Sequence, residues 1–287
     1  LSKGYSLSAE TKSVLNKYNI RLNHKLGQNF LIDANKRNQI IEYGNISPDE
    51  TILEIGPGIG TLSLEIAKKA KRLICIEQDR KVADILQKRA MEESIDNIEI
   101  INEDALKVDF PEFDKIISNL PYQISSPITF KLLEYPFKSG ILMYQREFAD
   151  RMTANVGSKN YSRLSAMLYF KVDVEFLMNV PSECFMPKPK VDSTVVRLTP
   201  NDRFKEDGKL FRNYSRICKA LFQHKNKKAE NSLINSRHEI GYSDKKELKN
   251  NLKSIKSERL EDLLEKRVIN LSPEDILDLT KELEDIL

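Results

Sequence analysis

Residues 51–61 read Thr-Ile-Leu-Glu-Ile-Gly-Pro-Gly-Ile-Gly-Thr. The opening TILEI is a short run of β-branched and aliphatic residues around one acid, the composition of a buried strand. Gly56, Gly58 and Gly60 follow at alternate positions. With no Cβ in the way, the backbone turns tightly there and lets a ligand come close. Helical spacing then begins, with Leu62, Ile66 and Ala70 on one face of residues 61–71. Strand, glycine turn and helix in that order place the turn at the carboxyl end of the strand, where open α/β sheets bind their ligands. A dinucleotide loop would read G-x-G-x-x-G, but here the third glycine comes one position early and Thr61 stands in its place. A nicotinamide cofactor is disfavoured by this spacing and stays open as an alternative.

Outward from this stretch the same alternation continues. Residues 73–77 (LICIE), 98–101 (IEII), 115–118 (KIIS) and 141–144 (ILMY) read as further buried strands, and Val82, Ile85 and Leu86 start an amphipathic helix between the second and third strands. Strand–helix alternation of this kind predicts an α/β fold with a parallel sheet covered by helices on both faces. Residues 172–180 and 192–199 are β-rich runs joined by the proline-rich stretch 181–189, and they fit an antiparallel hairpin at the sheet edge. Beyond Pro200-Asn201-Asp202 the pattern becomes helical, with Leu260, Leu263 and Leu264 on one face, and Ser272-Pro273-Glu274-Asp275 is a good helix start. Residues 7–24 form a polar or helical lead-in. The expected division is residues 1–200 as one domain, with 1–24 leading into it, and 201–287 as a smaller helical domain.

With 40% hydrophobic and 31% charged residues, the 287-residue chain has the composition of a globular protein with a sizeable core. No apolar run approaches the ~20 residues that span a bilayer, and no signal-peptide pattern opens the sequence. Cys75, Cys184 and Cys218 are widely spaced with no C-x-x-C pair, which argues against disulfides or a zinc site and fits a reducing, cytoplasmic setting. His24, His224 and His238 are too scattered for a metal cluster, so no metal is expected. Residues 201–259 carry 16 Lys/Arg against 8 Asp/Glu, whereas 260–287 carry 3 against 9. A basic block before an acidic end suits a surface that faces polyanion, and a solvated lysine-rich helix face explains the block equally well.

The E-x-G-x-G-x-G spacing from Glu54 to Gly60 resembles the first motif of Rossmann-like class I methyltransferases, which implies that Gly56, Gly58 and Gly60 cradle the amino-acid part of S-adenosylmethionine. Glu77 closes the second strand, 21 residues after Gly56, where a carboxylate accepts from both ribose hydroxyls. Asp104-Ala105 follows the third strand and offers a carboxylate to the cofactor's adenine amine. Asn119-Leu120-Pro121-Tyr122 follows the fourth. These residue types suit methyl transfer to an exocyclic amine whose lone pair is delocalised into an adenine ring. Two acceptors on its N–H bonds, the Asn119 side-chain oxygen and the Leu120 carbonyl, draw the nitrogen toward tetrahedral geometry, Pro121 stiffens the turn, and Tyr122 stacks on the base.

These stretches belong to a longer series: Leu26-Gly27-Gln28-Asn29-Phe30-Leu31, Asn119 through Pro127, Gln145 through Met152, Arg163-Leu164-Ser165, and Phe185-Met186-Pro187-Lys188-Pro189-Lys190-Val191-Asp192-Ser193. In this order, from about residue 25 to 200, they resemble the rRNA adenine N6,N6-dimethyltransferase family. That family's usual Tyr-Gly-Arg reads Tyr161-Ser162-Arg163 here. The resemblance implies that Asn29 and Leu31 touch the cofactor from the N-terminal side with Gln28 close by, and that Gly56, Glu77, Asp104 and Asn119 complete its site. It also makes Phe185 a second aromatic wall for the target base, although the residue alone reads as core. The implied target is a pair of adjacent adenosines in a hairpin loop near the 3′ end of small-subunit rRNA, reached within a ribosomal subunit or assembly intermediate by a monomeric enzyme that needs no membrane. Unstacked loop bases are the part of RNA that a protein pocket reaches most cheaply. Lys188, Lys190, Arg212, Arg216, Lys219, Lys225, Lys227 and Lys228 are candidate phosphate contacts. A large-subunit rRNA adenine methylase and a non-catalytic assembly or transcription factor built on a methylase fold are the competing readings.

Overall fold

The computed structural model describes residues 6–20, 29–204 and 208–287. Close Cα neighbours divide it into two compact units, Leu1–Ala149 with Val174–Pro200, and Asp150–Asp173 with Asn201–Leu287.

The first unit is built on strands β1 (Phe30–Leu31), β2 (Thr51–Ile55), β3 (Arg72–Ile76), β4 (Ile98–Ile101), β5 (Lys115–Asn119), β6 (Ser139–Gln145), β7 (Val172–Val180), β8 (Phe185–Met186) and β9 (Ser193–Pro200). Seven of them form one sheet in the order β4-β3-β2-β5-β6-β9-β7. β2 lies parallel to both β3 and β5, with Leu53 opposite Ile74 on one side and Ile116 on the other. The order reverses between β2 and β5, so the turns leaving these two strands sit side by side at their carboxyl ends. β9 runs antiparallel to β6, Tyr144 opposite Thr194, and β7 lies outside it as the edge expected of the late β-rich runs.

Helices α1 (Leu7–Lys17), α2 (Ala34–Gly44), α3 (Ser63–Ala67), α4 (Arg80–Glu92) and α5 (Ser125–Leu132) accompany the sheet. Ile40, Ile41, Leu64, Ile66, Leu86 and Ala90 from these helices join Ile52, Leu73, Cys75, Ile117 and Ile141 from the strands in one buried cluster. α4 follows from its sequence: Asp79 caps the Lys81 and Val82 amides, and Val82, Ile85, Leu86 and Ala90 are buried at helical spacing. α3 is shorter than the helical pattern of 61–71. Asn97 Nδ2 takes up the Ala67 and Ala70 carbonyls at 2.8 and 2.9 Å, and the Lys71 amide already donates to Glu50 O, so the chain leaves the helix early to enter β3. The β1–β8 pairing, Leu31 opposite Phe185, was not expected, because two-residue strands carry no readable period.

The second unit is helical: part of α6 (Arg146–Met152), then α7 (Arg163–Tyr169), α8 (Gly208–Phe222), α9 (Ala229–Asn235), α10 (Lys245–Ser254), α11 (Glu258–Glu265) and α12 (Pro273–Glu282). A cut at residue 200 alone does not describe the division, since Asp150–Asp173 clusters with the later helices. The cause is packing. Tyr214 Oη donates to Ala166 O at 2.9 Å, Tyr161 Oη to Leu271 O at 2.8 Å, and the Phe170 ring lies 5.4 Å from that of Tyr214. Ser162 precedes α7 in extended conformation (φ −158°), which any residue adopts, so the family's glycine is not needed there. Ser272 caps α12 as the sequence predicted, and Asp275 returns the bond to form a reciprocal cap.

Candidate active site

A crevice opens in the first unit where the turns after β2 and β5 meet. It is lined by Asn29, Phe30 and Leu31, by Gly56 and Gly58, and by Glu77, Asp104, Ala105 and the Asn119–Ile124 stretch. Its empty space is about 1070 Å³, open mouth included.

The glycine turn shapes its floor. Gly56 has φ +68° and Gly58 φ +58°, left-handed values that side chains rarely tolerate. A Cβ on Gly56 would lie 3.0 Å from the Pro121 ring, and one on Gly58 2.9 Å from Phe30 Cε1. Both glycines therefore let the loop press against the residues that bound the crevice. Gly60 differs from the expectation. Its Cβ would meet Leu86 Cδ1 at 2.7 Å, and it does not line the crevice, so this glycine serves the approach of a helix.

Glu77 follows β3, 9% exposed, and burial pushes its carboxyl up. Its two oxygens accept from the Gly58 amide at 3.2 Å and the Asp79 amide at 2.9 Å. These bonds aim the carboxylate and leave further lone pairs for hydroxyl donors. Asp104 turns its chain back on itself, with Oδ1 accepting from the Leu106 amide at 2.9 Å, and stands with Ala105 at the same crevice.

At the end of β5, Asn119 Nδ2 donates to the Asn29 carbonyl at 3.1 Å. A carbonyl only accepts, so the amide's nitrogen end is fixed there and Oδ1 is the end left to receive a donor. Leu120 is buried, and Pro121 leads into a single 3-10 turn, Tyr122–Ile124. The Tyr122 hydroxyl lies 2.5 Å from Ser193 Oγ on β9, which anchors the ring.

Glu54, at the end of β2, is 2% exposed and pushed up to about 8 by burial. The folded chain thus holds a proton that the unfolded chain, with an ordinary carboxyl near 4.5, releases. Stability falls as pH rises between these two values. Glu54→Gln is expected to flatten the decline of Tm between about pH 5 and 8. Parallel declines in both proteins, read by differential scanning calorimetry, would contradict the assignment.

The structure thus brings Asn29, Leu31, Gly56, Gly58, Glu77, Asp104, Ala105 and Asn119 through Tyr122 to one place. Gln28 lies outside the described residues, as do Leu26 and Gly27. Phe185 is 3% exposed, pairs with Leu31 through β8 and packs with it in the core, and it is not among the residues that line the crevice. Several phosphate candidates are engaged within the protein. Lys225 Nζ donates to the Lys159 and Tyr161 carbonyls at 2.6 and 3.1 Å, Lys228 pairs with Glu265, Arg216 Nε donates to Glu239 O, Lys219 pairs with Glu239 and Lys188 with Glu183. Lys190, Arg212 and Lys227 are exposed. Sequence reasoning missed Phe30 beneath Gly58 and Ser193 behind Tyr122. Both stand inside quoted motifs, but only tertiary contact reveals what they do. Among the described residues no cluster of His, Cys, Asp and Glu could hold a metal, and no helix is long and apolar enough to cross a membrane.

Comparison with known proteins agrees with this geometry. The family model for ribosomal RNA adenine dimethylase matches residues 19–284. A protein of Methanosphaera stadtmanae named probable ribosomal RNA small subunit methyltransferase A is 52% identical over 96% of this chain and 98% of its own length. Among solved structures, a dimethyladenosine transferase from Plasmodium falciparum is similar with a TM-score of 0.72 at 32% identity, covering 88% of this chain and 96% of that one. The 23S rRNA methyltransferase ErmE is similar with a TM-score of 0.63 at 28% identity, covering 89% and 99%. The family match runs through both the crevice and the helical unit, and relatives of equal length share about half their residues with it, so the chain belongs to the ribosomal RNA adenine dimethylase family.

Proposed function

We propose that the protein transfers methyl groups from S-adenosylmethionine to N6 of two adjacent adenosines in a hairpin loop near the 3′ end of small-subunit rRNA, giving N6,N6-dimethyladenosines. The observation that carries this reading is Asn119, whose amide nitrogen is tied to the Asn29 carbonyl so that Oδ1 is offered within the crevice that also holds the glycine turn and Glu77. When bound, the cofactor supplies an electrophilic methyl group on a sulfonium. The residues fit it: Gly56 and Gly58 let the backbone approach closely, Glu77 accepts from ribose hydroxyls, and Asp104 with Ala105 meets the adenine. Asn119 Oδ1 and the Leu120 carbonyl accept from the N–H bonds of the target amine, two before the first transfer and one before the second, so that its lone pair is freed toward the methyl carbon. As each N–C bond forms the S–C bond breaks, S-adenosylhomocysteine leaves, and the nitrogen's surplus proton passes to water. Tyr122, anchored by Ser193, stacks on the extruded base.

In this reading the helical unit docks RNA, with Arg212 and Lys227 as exposed phosphate contacts and Lys190 as a further one on the first unit, and the enzyme acts as a cytoplasmic monomer on a ribosomal subunit or assembly intermediate. The small-subunit name carried by the Methanosphaera stadtmanae relative supports the choice of subunit. Labelled methyl transfer to isolated small and large subunits, followed by mapping of the label, tests it. Label on two neighbouring adenosines near the small subunit's 3′ end is expected. Label in large-subunit rRNA, or subunit binding with no transfer, would overturn it in favour of one of the two competing readings.

A further inference from the structure

Lys131 stands in the last turn of α5, the helix that leaves the Tyr122–Ile124 turn directly. Among the described residues its ammonium has no carboxylate partner. It donates instead to the Ala105 carbonyl at 2.9 Å and to the Val108 carbonyl at 2.5 Å, and it sits 4.5 Å from the centroid of the Phe110 ring. A partly buried lysine head satisfied by two backbone carbonyls and an aromatic face is an arrangement that fixes backbone, since each of its donors is spent on the same loop. That loop is short and coiled: the Lys107 and Val108 amides donate to Asp104 O, and the Leu106 amide to Asp104 Oδ1. Ala105 and Val108 thus turn carbonyls toward α5 while Asp104 and Ala105 line the crevice. Tyr135, just beyond α5, reinforces the tie, its hydroxyl accepting from the Phe110 amide at 3.2 Å and its ring lying 4.8 Å from that of Phe110.

We propose that Lys131 is a positioning residue that sets the cofactor's base selectivity, by holding the 104–110 loop so that the Asp104 carboxylate faces the cofactor's adenine amine. The inference rests on the reading that Asp104 meets that amine. Lys131 touches no reacting atom. It acts through the Ala105 and Val108 carbonyls, and it links the adenine end of the crevice to the helix that grows out of the Asn119–Tyr122 turn. Replacing the ammonium with an apolar group of similar length leaves the two carbonyls without their donor and lets the loop drift, while the packing of the side chain's stem on Phe110 is kept.

The test compares the affinity of the full-length protein for S-adenosylhomocysteine with that for its inosine counterpart, which carries an oxygen where the adenine carries its amine, by calorimetry. In the parent the adenine form is preferred. In Lys131→Met the preference is expected to drop by about tenfold, the scale of one hydrogen bond to a charged group, with the affinity for RNA unchanged. Lys131→Arg, which keeps the donors, is expected to restore most of it. A loss of folding or a general weakening would lower both affinities together and leave their ratio alone. Lys131→Met with an unchanged ratio, while Asp104→Asn abolishes the preference, would overturn the role of Lys131. An unchanged ratio in Asp104→Asn would instead overturn the orientation of the cofactor on which the inference stands. Should Lys131→Met not fold, Tyr135→Phe removes the neighbouring tie from the Phe110 amide and is read in the same way, an unaltered ratio there counting against the loop's role.

Discussion

Asn119→Ala is expected to lower the rate of methyl transfer by about 10²–10³ or more, the cost of removing one preorganised polar group from a reacting centre, while leaving cofactor affinity within a few-fold apart from any direct contact with the cofactor. Two things go with the side chain. One is Oδ1, the acceptor that shapes the target amine. The other is the Nδ2 bond to the Asn29 carbonyl, which ties the end of β5 to the segment entering β1. Asn119→Asp separates them: it keeps an oxygen toward the crevice but sets a second oxygen against the Asn29 carbonyl, so an acceptor remains while its anchor becomes repulsive. Single-turnover transfer at saturating cofactor is the measurement, with calorimetry of S-adenosylhomocysteine as the check on binding. Turnover in Asn119→Ala within tenfold of the parent would end the assigned role.

The second large effect is expected at Glu77. Its carboxylate is buried, raised by that burial, and aimed by the Gly58 and Asp79 amides. Hydrogen bonds to charged groups contribute about 1.5–3 kcal/mol each, so loss of two ribose hydroxyl contacts in Glu77→Ala predicts a cofactor affinity lowered by about 10²–10⁴-fold. RNA affinity should hardly change. Glu77→Gln, with one acceptor oxygen left, should fall between. Calorimetry showing RNA binding more damaged than cofactor binding would contradict this division of labour. Because Gly58 loses a partner in Glu77→Ala, part of the effect passes through the glycine turn itself, and Glu77→Gln reports how much.

Much of this was legible in the sequence for a physical reason. β2, β3, β5 and β6 are nearly continuous apolar runs because strands inside a parallel sheet are buried on both faces. Gly56, Glu77, Asp104 and Asn119 each follow a strand, and a parallel sheet brings all such positions to one edge. What could not be read depends on contacts distant in sequence. Phe185 reads as core by itself, but its pairing with Leu31 is visible only in the fold. Lys225 and Lys228 look like ligands for phosphate until the carbonyls of 159 and 161 and the carboxylate of Glu265 are found beside them. Gly60 has the spacing of a cofactor contact but the neighbours of a packing residue. Charge and motif reveal which chemistry a residue could perform; only the fold shows which partner has already claimed it.

The insertion of Asp150–Asp173 into the helical unit has a consequence for how the chain can be dissected or synthesised. As the ribosome extrudes it, β2 to β6 emerge before this insertion, but β9, which zips against β6, arrives only after it. Tyr161, Phe170 and the α7 face must then wait, uncovered, for Tyr214 and Leu271. A truncation ending at residue 200 would freeze that nascent stage, leaving an apolar flank prone to self-association.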